Sequence, residues 1–231
     1  VRRDFLVTVV ALLCLAGRPL DAQVLEAEAH GVMVTNRHPG GPVDAPARGI
    51  GIGGALGVGW GRFAAELAVL HAETALDTLD ITQTLTQLEA RARYAVIPQV
   101  AIEASLARRY LDPDFAGSAL GFVSAGVYGT LPVSTWGRFW ARMAYIPYAG
   151  FSGTGDVVQG LSAEAGLGFE AALVGSRVYL VGSYGFQRVE RRVRNDLGVS
   201  SEVPIELDAA RLGVSLRLGG TPSAASAAQP E

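Results

Sequence analysis

The sequence holds one cysteine, no lysine, and no apolar run of the length a membrane-spanning helix needs. Such a helix takes about 20 consecutive apolar residues, and the longest run here, 5–17, is shorter. A helical membrane protein is therefore a poor fit. The lone Cys14 falls in the segment read below as a leader, so the rest of the chain offers neither a disulfide framework nor cysteine ligands for zinc. All 19 basic residues are arginines, set against 22 acids for a net charge of −3. No basic stripe is present, which speaks against nucleic acid as a partner. Charge is also scarce, at 18% of residues against 49% hydrophobic, and glycine is abundant at 29 residues. That balance is too apolar for a typical soluble enzyme.

What is present begins with a leader pattern. Arg2 and Arg3 precede the apolar run 5–17, and Ala22 supplies the small residue before a cut. Residues 1–22 are expected to be a secretory signal peptide, leaving Gln23 first. Lipidation at Cys14 is not expected, because Leu13 stands where a small residue is needed. The segment 219–231, GGTPSAASAAQPE, reads as a disordered tail.

Between them the pattern has period two, the period of a strand with two unlike faces. Ten segments carry it: 24–35, 50–60, 63–72, 81–96, 100–110, 118–129, 135–148, 159–172, 177–190 and 204–218. No segment shows a sustained 3.6-residue period with caps. The 11 prolines fall in the leader, connections, tail or strand ends. Long connections (36–49, 73–80, 111–117, 149–158, 191–203) alternate with short ones near Gly61, Pro98, Leu131-Pro132 and Gly175. One end of such a meander carries all the long loops, as outer-membrane barrels do.

Alternation alone does not say which face is wet, since a soluble lipocalin-like barrel alternates too. Two features separate the cases. In GIGIGGALGVGWG (49–61) the non-aliphatic face is Gly51, Gly53, Ala55, Gly57 and Gly59. That is a poor water-facing surface, but it suits a crowded lumen where arginines need room. Trp60, Phe63, Tyr94, Tyr128, Trp136, Phe169 and Tyr179 lie beside the short turns, and Tyr110, Tyr145, Tyr148, Tyr184 and Phe186 towards the long loops. Two such belts fit the two membrane interfaces. On these patterns, over residues 23–218, the chain resembles the small eight- to ten-stranded bacterial outer-membrane β-barrel proteins. The resemblance implies an all-β, up-and-down antiparallel transmembrane barrel of ten strands, with eight as the fallback. It also implies insertion into outer-membrane lipid by the barrel-assembly machinery. The terminal aromatic residue common in that family is replaced here by Leu216-Arg217-Leu218 and a polar tail.

Motifs with chemistry are few. Gly49-x-Gly51-x-x-Gly54 matches the dinucleotide fingerprint in spacing, but period-two sequence follows it where a helix is required. Asp112-Pro113-Asp114 and His71 lie near the outer strand ends, where ten-stranded omptin proteases hold Asp-Asp and Asp-His pairs. The Asp-x-His partner is missing, and an acidic turn around proline is commonplace. His30 shares a face with Glu26 and Glu28, read as a hydrogen-bonded lumen histidine rather than a metal ligand. No catalytic, cofactor or metal site is assigned.

Turning the aliphatic faces outward places Glu26, Glu28, Glu66, Glu89, Glu103, Glu164 and Glu170 in the lumen with Arg91, Arg93, Arg138, Arg142, Arg211 and Arg217. Seven acids facing six bases in so narrow a barrel read as a salt-bridged plug, with a narrow ion or solute channel as the alternative. In the hairpin around Pro98, parity favours a three-residue turn, Ile97-Pro98-Gln99, and excludes a two-residue one; Arg93 is then set opposite Glu103. The expected protein is a non-enzymatic, monomeric barrel without cofactors, acting through its long loops on an extracellular ligand. A soluble secreted calycin-like binder is the remaining alternative.

Overall fold

Strands with one aliphatic face and one mixed face have to close on themselves if no edge is to be left unpaired. This chain does so. A computed structural model describes residues 23–39, 46–76, 81–114, 119–152, 161–174, 177–194 and 200–219. The expected leader 1–22 and all but Gly219 of the expected tail lie outside these residues. Ten strands form the closed barrel: β1 (Gln23–Arg37), β2 (Ala47–Trp60), β3 (Phe63–Leu76), β4 (Ile81–Ile97), β5 (Val100–Asp112), β6 (Leu120–Ser134), β7 (Gly137–Phe151), β8 (Ala163–Val174), β9 (Val178–Val189) and β12 (Ile205–Gly219). Each pairs antiparallel with its neighbours in sequence, and β1 pairs with β12 to shut the ring. The 191–203 connection, expected to be plain loop, contains a small hairpin of β10 (Arg192–Arg194) and β11 (Ser200–Glu202).

The short turns lie at one end. Gly61, at φ 57°, takes a conformation that favours glycine in the two-residue turn joining β2 to β3. Backbone hydrogen bonds tie neighbouring turns together there, from Ala95 N to Arg62 O (2.8 Å) and from Thr130 N to Gln99 O (2.8 Å).

Two turns depart from the sequence reading. The β4–β5 turn is the two-residue Pro98-Gln99, the form parity had excluded. Ala95 opposes Ala101 but Ile97 opposes Val100, so a bulge at Val96 absorbs the odd residue. Above the bulge Arg93 stands opposite Glu103 and the charges keep their face. The β6–β7 turn is Thr135-Trp136, and Pro132 stays inside β6 beside a second register shift, where a proline is tolerated. Five strands (β1, β2, β3, β5 and β7) also run a few residues further towards the long loops than expected, as β1 does through Asn36 and Arg37.

The barrel's polarity is the reverse of a soluble one. Met33, Ile50, Ile52, Leu56, Leu167 and Leu212 all point outward, and Met143 is 73% exposed. Charged side chains such as Glu89 and Glu103 are buried inside. The lumen is nevertheless not charged throughout. Its loop half holds two apolar clusters that the period-two reading did not separate from the outer face. One contains Val32, Val34, Leu70, Leu85, Leu111 and Leu207; the other contains Leu120, Phe122, Ile146, Val189 and Ile205.

Candidate functional site

The site the sequence points to is the charged layer in the short-turn half of the lumen. Period two puts Glu89, Arg91 and Arg93 on one face of β4, and antiparallel pairing lays Glu66 of β3 against Arg91 and Glu103 of β5 against Arg93. Arg91 donates to Glu66 (2.6 Å) and Glu89 (2.6 Å). Arg93 donates to Glu103 (2.6 Å) and more distantly to Glu66 (3.4 Å). Across the lumen, Arg142 of β7 meets Glu164 (2.6 Å), Glu103 (3.1 Å) and Glu89 (3.6 Å). Arg138 donates to Glu170 (2.8 Å) and Arg217 to Glu26 (3.1 Å) and Glu170. These contacts form two networks across strands that are far apart in sequence, one around Arg91, Arg93 and Arg142 and one around Glu170. An unpaired charge in such surroundings would cost several kcal/mol.

Two of the luminal charges stand apart. Glu28 is bound by Nδ1 of His30 (2.8 Å), and Arg211 has no ion-pair or hydrogen-bond partner among the described residues. Glu26, which shares their face, accepts from Ser215 and Arg217 instead of joining a metal group.

A seventh luminal arginine escaped the sequence reading. Arg109 of β5 is fully buried, between the carbonyl oxygens of Gln87 (3.0 Å) and Gln187. Parity could have found it, since it shares the odd-numbered face with Glu103. Among the described barrel strands the lumen then holds seven bases to seven acids.

The aromatic residues divide in a way the sequence reading missed. Trp60, Phe63 and Tyr94 pack in a row on the outer surface at the short-turn end, Phe63 standing 6.1 Å from Trp60 and 4.9 Å from Tyr94. Trp136 is exposed in its turn, and Phe169 lies outside over Gly182. Tyr128 and Tyr179, expected in the same belt, face the lumen. There Arg93 sits 4.2 Å over the Tyr128 ring and Arg217 sits 4.4 Å over the Tyr179 ring. Each shares its strand's face with a luminal polar residue, Ser124 on β6 and Ser183 on β9, so parity outweighs nearness to the turn.

At the loop rim the protease-like groups do not converge. His71 points outward and bonds to Thr86 (2.9 Å), while Asp114 accepts from Ser152 (2.6 Å) and the Ala119 amide (3.2 Å). The other rim histidine, His38, lies in the β1–β2 connection. Burial and the guanidinium groups of Arg191 and Arg109 lower its pKa to about 4, against a weaker opposing pull from Asp114.

No known family model matches the chain, and no curated protein matches it by sequence. Among solved structures it is similar to an outer membrane channel from Pseudomonas putida F1 (11% identity, 87% of this chain and 97% of that one, TM-score 0.43). It is also similar to Neisserial surface protein A (14% identity, 83% and 96%, TM-score 0.40). A third is the translocator domain of the autotransporter NalP from Neisseria meningitidis (10% identity, 94% and 96%, TM-score 0.37). Similarity at this level carries no function from one protein to another.

Proposed function

We propose that this protein is a non-enzymatic outer-membrane β-barrel that is closed to solutes and acts through the five connections at its loop end. The reversed polarity of the barrel is the observation that carries the reading. A barrel in water turns its aliphatic side inward, whereas here the aliphatic side chains are outside and the ionised ones inside. Lipid is the solvent in which that arrangement is stable, and closed barrels are the one strand architecture lipid admits. Support for closure comes from the loop half of the lumen, where apolar side chains meet across the barrel, and from the short-turn half, where ion pairs do. Export, delivery to the barrel-assembly machinery, a monomeric state and an extracellular ligand belong to the same proposal.

The test is reconstitution into planar lipid bilayers. The purified barrel, shown to be folded by its altered gel migration when left unboiled, should give no single-channel steps. Stable porin-like conductance would instead establish the channel reading. Protein that stays dispersed without detergent would establish the soluble one.

A further inference from the structure

The ion pairs do not fill the short-turn half of the lumen. A cavity of about 190 Å³ remains, running from Val24 and Gly59 at the short-turn end up to Leu70 and Leu207. Those two leucines belong to an apolar cluster of the loop half, so the cavity is blind above and is approached from the short turns. One wall, from β2 and β3, is made of small residues, Ala55, Gly57, Ala64 and Ala68. Across the ring stands β7, whose Trp140 stacks on Tyr128 at 5.9 Å between centroids. The result is a slot with a flat aromatic side and a smooth opposite side.

Arg211 of β12 lines this slot beside Ser183, its register neighbour on β9. The nearby guanidinium groups of Arg91 and Arg142 are answered by carboxylates, and Glu28 is taken by His30. Among the described residues Arg211 has no hydrogen bond or close ion pair, and Glu89 and Glu28 act on it only from a distance. A partly buried guanidinium gains from a close anion, and its planar fork matches a carboxylate or phosphate. We propose that the cavity is a binding site for a small organic anion carrying a flat apolar body. Arg211 grips the anionic group, the Ser183 hydroxyl donates to it, and the body lies against Trp140 and Tyr128. The assignment of the mouth to the periplasm rests on the outer-membrane reading; the binding does not.

The experiment is calorimetric titration of the detergent-solubilised barrel with benzoate, phenyl phosphate and benzylammonium. Saturable binding of one or both anions, and none of the cation, is expected. Arg211→Gln, which breaks no hydrogen bond or close ion pair, should weaken binding at least about tenfold. Gly57→Leu should do the same by filling the slot, since a Cβ there meets only ordinary contacts at 3.6 and 3.7 Å. Arg108→Gln, on the outer face, should change nothing. Absence of saturable binding, equal binding of the cation, or anion binding indifferent to Arg211→Gln would each overturn the proposal. A preparation that keeps its heat-dependent gel shift but binds no anion sinks the pocket and leaves the membrane barrel standing. Loss of the shift counts against the membrane reading alone.

Discussion

Arg93 and Glu103 face each other across the β4–β5 hairpin, yet neither depends wholly on the other, since Arg93 also reaches Glu66 and Glu103 also reaches Arg142. Removing one partner of an isolated buried pair costs about 3–5 kcal/mol; here the second contacts should reduce that loss. Arg93→Gln and Glu103→Gln are each expected to destabilise the barrel, with a coupling of about 1–3 kcal/mol in a double-mutant cycle on urea unfolding in detergent. Strict additivity would mean that the pair does not act as a pair. His38 yields a prediction in pH. Its folded pKa, about 4, lies below the ordinary 6.5, so the unfolded chain binds the proton first as pH falls. The stability this residue contributes is therefore complete above 6.5 and lost progressively towards 4. The unfolding midpoint should drop between about pH 7.5 and pH 5, and His38→Gln should flatten that slope. An equal drop in the variant would assign the effect to another group.

Among the elements, β2 is the clearest case of sequence dictating shape. A Cβ added at Gly51 would stand 2.0 Å from the His71 carbonyl oxygen, so β2 and β3 approach each other there as only glycine permits. Gly51→Ala should cost about 1–3 kcal/mol as overpacking and reduce the fraction that folds on dilution into detergent. Gly57→Ala, with its nearest atom at 3.6 Å, should be tolerated. Equal stability of the two variants would show that the close approach is not a constraint. The same element shows what was legible. Its glycine face was readable as luminal because Ile50, Ile52 and Leu56 alternate with it. Strand number and the charged face of β4 were legible for the same reason. The bulges at Val96 and Val133 were not, because a bulge changes register without leaving a mark on the hydrophobic pattern. Tyr128 and Tyr179 were misplaced by ranking distance from a turn above parity. The apolar inner clusters were hidden because Leu85 inside and Leu88 outside are the same residue type, and period two separates faces only where their chemistry differs.

At the scale of the whole molecule the lumen is a stack of two layers, ionic towards the short turns and mainly apolar towards the loops, where Arg109 is held by Gln87 and Gln187 among the apolar side chains. The two layers do not close a pore in the same way. Rings of charge are compatible with conduction, since water and ions tolerate charged walls. An apolar constriction expels water and stops current without any lid. The seal should therefore reside in the loop half, where Leu85 and Phe122 are almost wholly buried in the two separate clusters. Replacing both by asparagine should wet that layer and produce single-channel events in a barrel that is otherwise silent. Arg138→Gln with Glu170→Gln, which breaks an ion pair at the short-turn end, should lower stability yet leave the bilayer quiet, because the apolar layer still stands above it. The opposite pattern, current through the ion-pair variant and silence from the asparagine variant, would place the seal in the charged layer and make the apolar clusters mere packing.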